Sequence, residues 1–245
     1  MTTNGPILIP SPIPQNATPG EKKVYRLLRQ QLPSGYIAWY ELTLSFRADS
    51  RYPDFVIIGP DQGILVLEVK DWVLDNISQV KKTLFVLRTG RRELKEHDPF
   101  KQARDNVLRI KDILETSRDP AVVHEFGPHQ GQLRFPYRHA VVLTNLTRTA
   151  IAKVNGLPQM LENLPVFLRD DLGETFVKRL LDLPSKFKAP MSASQVDAIR
   201  WILYPEVRIE NRPGKVLDLR QDRAVKNHLS EEAERALGDP LTRLV

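Results

Sequence analysis

The chain has 245 residues with 41% hydrophobic and 27% charged content and a net charge of +6, an ordinary profile for a soluble globular protein able to bury a substantial core. It lacks a run of about 18 apolar residues, which excludes a transmembrane helix and a membrane role, and its start, MTTNGPILIPSPIPQ, is not a signal peptide. Cysteine is absent, which excludes disulfides and Cys-ligated zinc, and the five histidines show no metal-ligand spacing; a cytoplasmic location is expected.

Residues 1–17 are proline-rich without periodicity and read as an extended arm. TPGEKKVYRLLRQQL then carries a helix start, with Thr18 as N-cap, Pro19 at the first helical position and Glu21 three residues after the cap. Val24, Leu27, Leu28 and Leu32 give this helix one apolar face. YIAWYELTLSF reads as a strand ending near Arg47. DFVII and ILVLEVK, joined by GPDQG, read as a hairpin. TLFVLRTGRRELKE suggests a short strand, a turn at Gly90 and a further strand. DPFKQARDNVLRIKDILETS predicts a helix with Ala103, Val107, Ile110 and Leu114 inward. YRHAVVLTNLT and LPVFLRDDL are strands, and GETFVKRLLDL and SASQVDAIRWIL are helices, the latter capped by Ser192 or Ser194. This order predicts an α/β fold with a mixed central sheet flanked by helices over residues 18–204. Residues 205–245 read as a polar linker followed by a charged amphipathic helix.

The hairpin RYPDFVIIGPDQGILVLEVKDW carries charge where a buried strand should exclude it. With the turn centred on Asp61, Asp54 lies across from Glu68, Val56 from Val66 and Ile58 from Ile64, so that Asp54, Glu68 and Lys70 share one face. Directly opposed Cβ atoms stand about 4.5–5.5 Å apart, and two carboxylates that close repel unless a cation lies between them. Oxygen ligands suit Mg2+ or Mn2+. Lys70 could orient or help deprotonate a water beside such a metal, which makes a coherent site for metal-assisted phosphodiester hydrolysis. The plainer alternative is an edge hairpin in which Lys70 only pairs with Asp54 or Glu68. Glu-x-Lys alone decides nothing, because it also occurs at Glu21 and Glu93; the weight lies in its position within an apolar strand.

With Pro53-Asp54 and Glu68-Val69-Lys70, the segment resembles the core of the PD-(D/E)XK nuclease superfamily. More narrowly it resembles the NERD (nuclease-related) domain, through Gly20-Glu21, the Asp54 strand, the Glu68-to-Trp72 strand and the helix start Asp98-Pro99-Phe100-Lys101-Gln102. The resemblance spans roughly residues 18–148 and implies a restriction-endonuclease-like core. It implies Asp54, Glu68 and the Val69 carbonyl as metal ligands, and Lys70 as the catalytic lysine. Glu21 would be an accessory acid and Gln102 a residue reaching the site from the later helix. The local alternatives are a capping glutamate at Glu21 and an exposed amide at Gln102. One departure is the absence of a glycine after Trp72, where VLDNI stands, leaving the local turn open.

From Lys81 to Arg118 there are eleven Lys or Arg against six Asp or Glu. A solvated basic helix face accounts for this equally well, but in a nuclease Lys81, Lys82, Arg91, Arg92, Lys101 and Arg104 become candidate phosphate contacts without sequence preference. VLDLRQDRAVKNHL resembles the Q-motif segment of UvrD-type superfamily 1 helicases, with Gln221 as the adenine-contacting glutamine. No Walker A loop occurs, so the chain reads either as the nuclease part of a nuclease–helicase fusion or as a protein whose last helix docks a partner. The expected function is a divalent-metal-dependent DNA endonuclease, with a helicase domain in cis or in trans and a DNA-processing or anti-phage setting. The alternative is a catalytically inactive, nuclease-like DNA-binding module. RNA stays open as a substrate, and cutting both strands would call for two copies, which makes a homodimer an expectation to test.

Overall fold

Two apolar segments, FVIIG and GILVLEVK, are buried on both faces, and such near-continuous runs belong at the centre of a covered sheet. The computed structural model describes residues 5–46, 49–81, 84–89 and 92–205. The expectations at Lys82, Arg91 and the tail with Gln221 lie outside the described residues.

In chain order, β1 (Ile7–Ile9) comes from the proline-rich arm and precedes α1 (Pro19–Gln31) and β2 (Ile37–Tyr40). β3 (Leu44–Phe46) pairs with β4 (Asp49–Arg51), and β5 (Phe55–Gly59) with β6 (Gly63–Lys70). β7 (Ile77–Lys81), β8 (Leu84–Thr89) and β9 (Arg92–His97) follow, then α2 (Pro99–Ser117) and β10 (Tyr137–Leu143). The short helices α3 (Arg148–Ile151) and α4 (Leu157–Leu161), β11 (Val166–Leu168), α5 (Phe176–Leu181) and α6 (Ala193–Leu203) complete the order.

The main sheet has six strands in the order β1-β2-β5-β6-β10-β11. It is mixed: β2, β5 and β6 are antiparallel neighbours, whereas β1 runs parallel to β2, and β10 runs parallel to both β6 and β11. On one face α1 and α5 cover Tyr40, Phe55, Ile57, Leu65 and Leu67 through Val24, Leu28, Phe176 and Leu180. On the other, α2 and α6 cover Trp39, Val56, Ile58, Ile64 and Val66 through Val107, Ile110, Val196 and Ile199. Each such buried aliphatic or aromatic side chain contributes about 1.5–3 kcal/mol of transfer free energy. This is the restriction-endonuclease-like arrangement, a mixed sheet between helical layers.

Several elements differ from expectation. The strand expected to run to Arg47 stops at Tyr40, because Glu41 takes a left-handed φ of 49° and the chain turns out of the sheet. Three strands, rather than two, make the small antiparallel sheet β7-β8-β9, and Trp72 leads into a single 3-10 turn at Leu74–Asn76 where VLDNI stood open. Ser192 is the α6 cap, accepting from the Gln195 amide at 3.2 Å. The α1 start has its full capping box around Thr18 and Glu21.

Candidate metal and nucleic-acid site

The hairpin holds the inferred register, with Phe55 opposite Leu67, Val56 opposite Val66 and Ile58 opposite Ile64. Gly63 ends the turn with φ at +69°, and a Cβ there would stand 2.0 Å from the Pro136 carbonyl oxygen, so the tight junction of turn and β6 needs glycine. No bulge interrupts the ladder from Gly59 to Phe55. One step further, Pro53 occupies the position that would face Val69, and a proline ends the strand. Asp54 therefore sits just ahead of β5 rather than inside it, and its Oδ2 accepts the Val69 amide at 2.6 Å. That bond carries on the lost ladder with a side chain and fixes the carboxylate beside Glu68.

Alternation along the strands puts Asp54, Glu68 and Lys70 on the face that carries Val56 and Val66, the face covered by α2. Glu68 is fully buried, flanked by Asp54 on one side and by Val141 of β10 on the other. Lys70 Nζ donates to Glu68 Oε1 at 2.8 Å, while Glu68 Oε2 is buried with no hydrogen-bond partner. Burial, then the neighbouring Glu68 charge, pushes the Asp54 carboxyl up to about 8 against the pull of the Val69 amide and Lys70. Burial likewise raises Glu68, with Lys70 opposing and Glu21 adding to the rise. Burial alone would lower Lys70, but Glu68, Asp54 and Glu96 of β9 outweigh it and hold the ammonium above its usual value.

An orphaned buried carboxylate oxygen next to a second carboxyl that resists ionising is a site short of positive charge. Asp54, Glu68 and the Val69 backbone thus have the donor chemistry for a hard divalent cation. Among the described residues, no three Asp, Glu or His side chains converge as a preformed cage, so protein side chains would supply two carboxylates and leave the remaining positions to water or substrate.

Glu21 completes the capping box, and no hydrogen bond joins it to the candidate acids among the described residues. Its Oε2 accepts the Thr18 amide at 2.7 Å, as a capping box requires, and the Tyr40 hydroxyl at 2.9 Å. Its charge also bears on both Asp54 and Glu68. Gln102 lies half-buried in the first turn of α2, the helix whose Phe100 and Ala103 pack with Val141 and Leu143. Lys101 is exposed and paired with Asp105 at 2.7 Å, and Arg104 is exposed on the same helix. Lys81 ends β7 and Arg92 opens β9. A cavity of about 1050 Å³ lined by Asp112, Glu115, Phe126 and Gln130 lies at the C-terminal end of α2, and none of the candidate site residues lines it.

Asp71, to which no motif points, ties the α1 N-terminus to the end of β6. Its Oδ2 accepts the Gly20 amide at 2.9 Å, its Oδ1 accepts the Thr144 hydroxyl, and its carbonyl accepts Asn145 Nδ2 at 2.9 Å. Thr144 N also donates to the Lys70 carbonyl at 3.0 Å. A Cβ on Gly20 would stand 1.8 Å from Asp71 Oδ1, which explains glycine before Glu21: the α1 N-terminus must approach the end of β6 closely. The only signal for Asp71 in the sequence was a third charge directly after Glu68 and Lys70.

The family model described as nuclease-related domain matches residues 17–144, a span that includes α1, the hairpin, α2 and Thr144. No curated protein and no solved structure matches the chain.

Proposed function

This chain belongs to the nuclease-related domain (NERD) family, and from that premise we propose that it is a divalent-metal-dependent DNA endonuclease of the PD-(D/E)XK type. The observation that carries the reading is the unpartnered, fully buried Glu68 Oε2 beside an Asp54 carboxyl raised to about 8. Asp54, Glu68 and the Val69 carbonyl would hold Mg2+ or Mn2+, which supplies Lewis-acid polarisation of the phosphodiester and a more acidic bound water. The Val69 amide fixes Asp54, and the apolar rows around Glu68 exclude bulk water from its carboxylate. Lys70, held protonated by its acidic neighbours, is suited to orient the attacking water and to offset charge developing on the phosphoryl oxygens; in this state it is poorly suited to act as a base. Glu21 adds negative charge from α1, and Gln102 would orient water or phosphate from α2.

The test is cleavage of plasmid and linear DNA with Mg2+ or Mn2+ by wild type, Glu68→Ala and Lys70→Ala. Each variant is expected to lose at least about 10²-fold in rate; equal cleavage by all three proteins overturns the site. The 2.8 Å Lys70–Glu68 ion pair favours a second reading, in which the lysine itself neutralises the acid and the fold only binds DNA. Salt-sensitive DNA binding without cleavage by any of the three proteins selects that reading. A helicase domain working with this chain, a homodimer for double-strand cutting, and a cytoplasmic DNA-processing or anti-phage setting belong to the same proposal. The helicase part rests on the Q-motif-like segment around Gln221. RNA cleavage in the same assay would widen the substrate class.

A further inference from the structure

The parallel strands β6, β10 and β11 all end at one edge of the sheet, and Lys70 is the last residue of β6. Ligands of open α/β sheets gather at this carboxyl edge. Immediately beyond β11, Asp171 is buried, its side chain fully so; it accepts the Leu168 amide at 2.9 Å, and a single Arg148 nitrogen, Nη2, is shared between its two oxygens at 2.7 and 2.9 Å. Arg179 of α5 donates to the same Oδ1. The carboxylate is closed to solvent, yet the side chains of the two arginines are 55% and 49% exposed. A guanidinium has five donors in a fixed fork, and neither arginine spends more than part of that set on Asp171. Arg169 and Lys178, next to Asp170 and Arg179 in the chain, are exposed too, as are the acids Glu174 and Asp182 on the same segment, so Arg148 and Arg179 are set apart by their buried anchor rather than by an excess of charge.

We propose that Arg148 and Arg179, held in place by Asp171, form a binding site for DNA backbone phosphates on the edge of the sheet that carries the acids. The inference deepens the nuclease reading and rests on it for the identity of the polymer. It places the DNA track at β10 and β11, where the basic residues singled out in the sequence do not lie. Two strand spacings, about 10 Å, separate β6 from β11, which corresponds to about three nucleotides along one strand. A planar, pre-oriented arginine loses little freedom on meeting a phosphate, and a buried carboxylate anchor provides that orientation. The residues lie beyond the family match, which ends at 144, so they would distinguish this chain's grip on DNA from that of the shared domain.

The test is binding of a fluorescent DNA duplex to the full chain in EDTA over a salt series, with folding checked by circular dichroism. Arg148→Gln and Arg179→Gln are each expected to lower the slope of log K against log salt by about 0.9. Arg179→Lys, which keeps the charge, should restore the slope. Asp170→Asn provides a variant outside the buried carboxylate: Asp170 accepts the Arg148 amide at 2.7 Å, a bond an Asn oxygen can keep, and lies 3.9 Å from the Arg148 guanidinium, so removing its charge should tighten binding. Slopes equal to wild type in folded Gln variants, or unchanged affinity in Asp170→Asn, overturn the proposal. Because no cleavage occurs in EDTA, these outcomes are independent of whether Glu68→Ala abolishes hydrolysis.

Discussion

Glu68 and Asp171 are both buried carboxylates at the carboxyl end of the sheet, and their surroundings drive them in opposite directions. Asp171 would be raised by burial, but the Leu168 amide, Arg148 and Arg179 outweigh that and hold it below the usual carboxylate range. Glu68 has one donor, Lys70, and an oxygen with none, and burial raises it. The difference teaches that burial does not define the function of an acid; the count of donors does. Asp171 is a completed structural anchor. Glu68 and Asp54 form an incomplete one, and an incomplete buried site requires either protons or a cation.

The largest effect expected from this contrast is on catalysis. Glu68→Gln keeps the shape but removes the charge, so cleavage should fall by about 10²-fold or more while the metal-free melting temperature changes little, because the deleted charge was desolvated and Lys70 keeps Asp54 and Glu96 as neighbours and a glutamine oxygen to donate to. A large loss of stability with Glu68→Gln would make Glu68 an anchor like Asp171. The mirror experiment is Asp171→Asn, where two arginines lose a charged partner. A cost of about 3 kcal/mol in urea unfolding is expected, near the low end for a broken buried pair because both arginines can turn to water. A neutral Asp171→Asn would erase the contrast.

The same distinction explains what was legible. The hairpin register followed from two β-branched runs and a turn, and it brought Asp54 and Glu68 together as inferred. The α1 cap was equally local. β1 was not visible, because ILI in a proline-rich arm becomes a strand only by pairing with β2. ISQVK lacks clean alternation, so β7 was missed and the small sheet was read one strand short. Contacts between distant segments were illegible: Asp71 meets Thr144 across 73 residues, and Asp171 collects Arg148 from α3 and Arg179 from α5. RDDL was read as the end of the strand LPVFLRDDL, whereas the strand stops at Leu168 and Arg169–Asp171 is a 3-10 turn; nothing in its spacing announced a buried aspartate.

A smaller, graded effect should appear with pH. In metal-free protein, Asp54 titrates at about 8 when folded against about 3.9 unfolded, so the folded chain holds a proton that the unfolded chain releases. The corresponding stability is present below about pH 4 and is lost as pH rises through about 8. Asp171 acts oppositely: its contribution is present above about pH 4 and lost as pH falls through its depressed value. His139, held below its usual value by burial and Arg104, adds stability as pH rises over the same range. The Asp54 effect is therefore read by thermal unfolding in EDTA as wild type relative to Asp54→Asn, a difference that should decline from about pH 5 to about pH 8. Mn2+ should raise the melting temperature more at the alkaline end, where it displaces fewer protons. A metal-free stability that climbs relative to Asp54→Asn over this range, or an equal Mn2+ response at both ends, would show that Asp54 is not the proton-holding partner.

The finest discrimination concerns Glu21, which serves as an anchor toward Thr18 and Tyr40 and as a charge toward Asp54 and Glu68. Glutamine at the third helical position still completes a capping box, so Glu21→Gln removes the charge and retains the helix start. The melting temperature should change little, by the equivalent of about 0.5 kcal/mol or less. If the charge serves the metal site, cleavage at limiting Mn2+ should fall about tenfold and recover as Mn2+ is raised, because a less negative site binds the cation more weakly. If Glu21 is only a cap, cleavage will be unchanged at every Mn2+ concentration. Glu21→Ala should lower both stability and cleavage, and the difference between the two variants separates the cap from the charge.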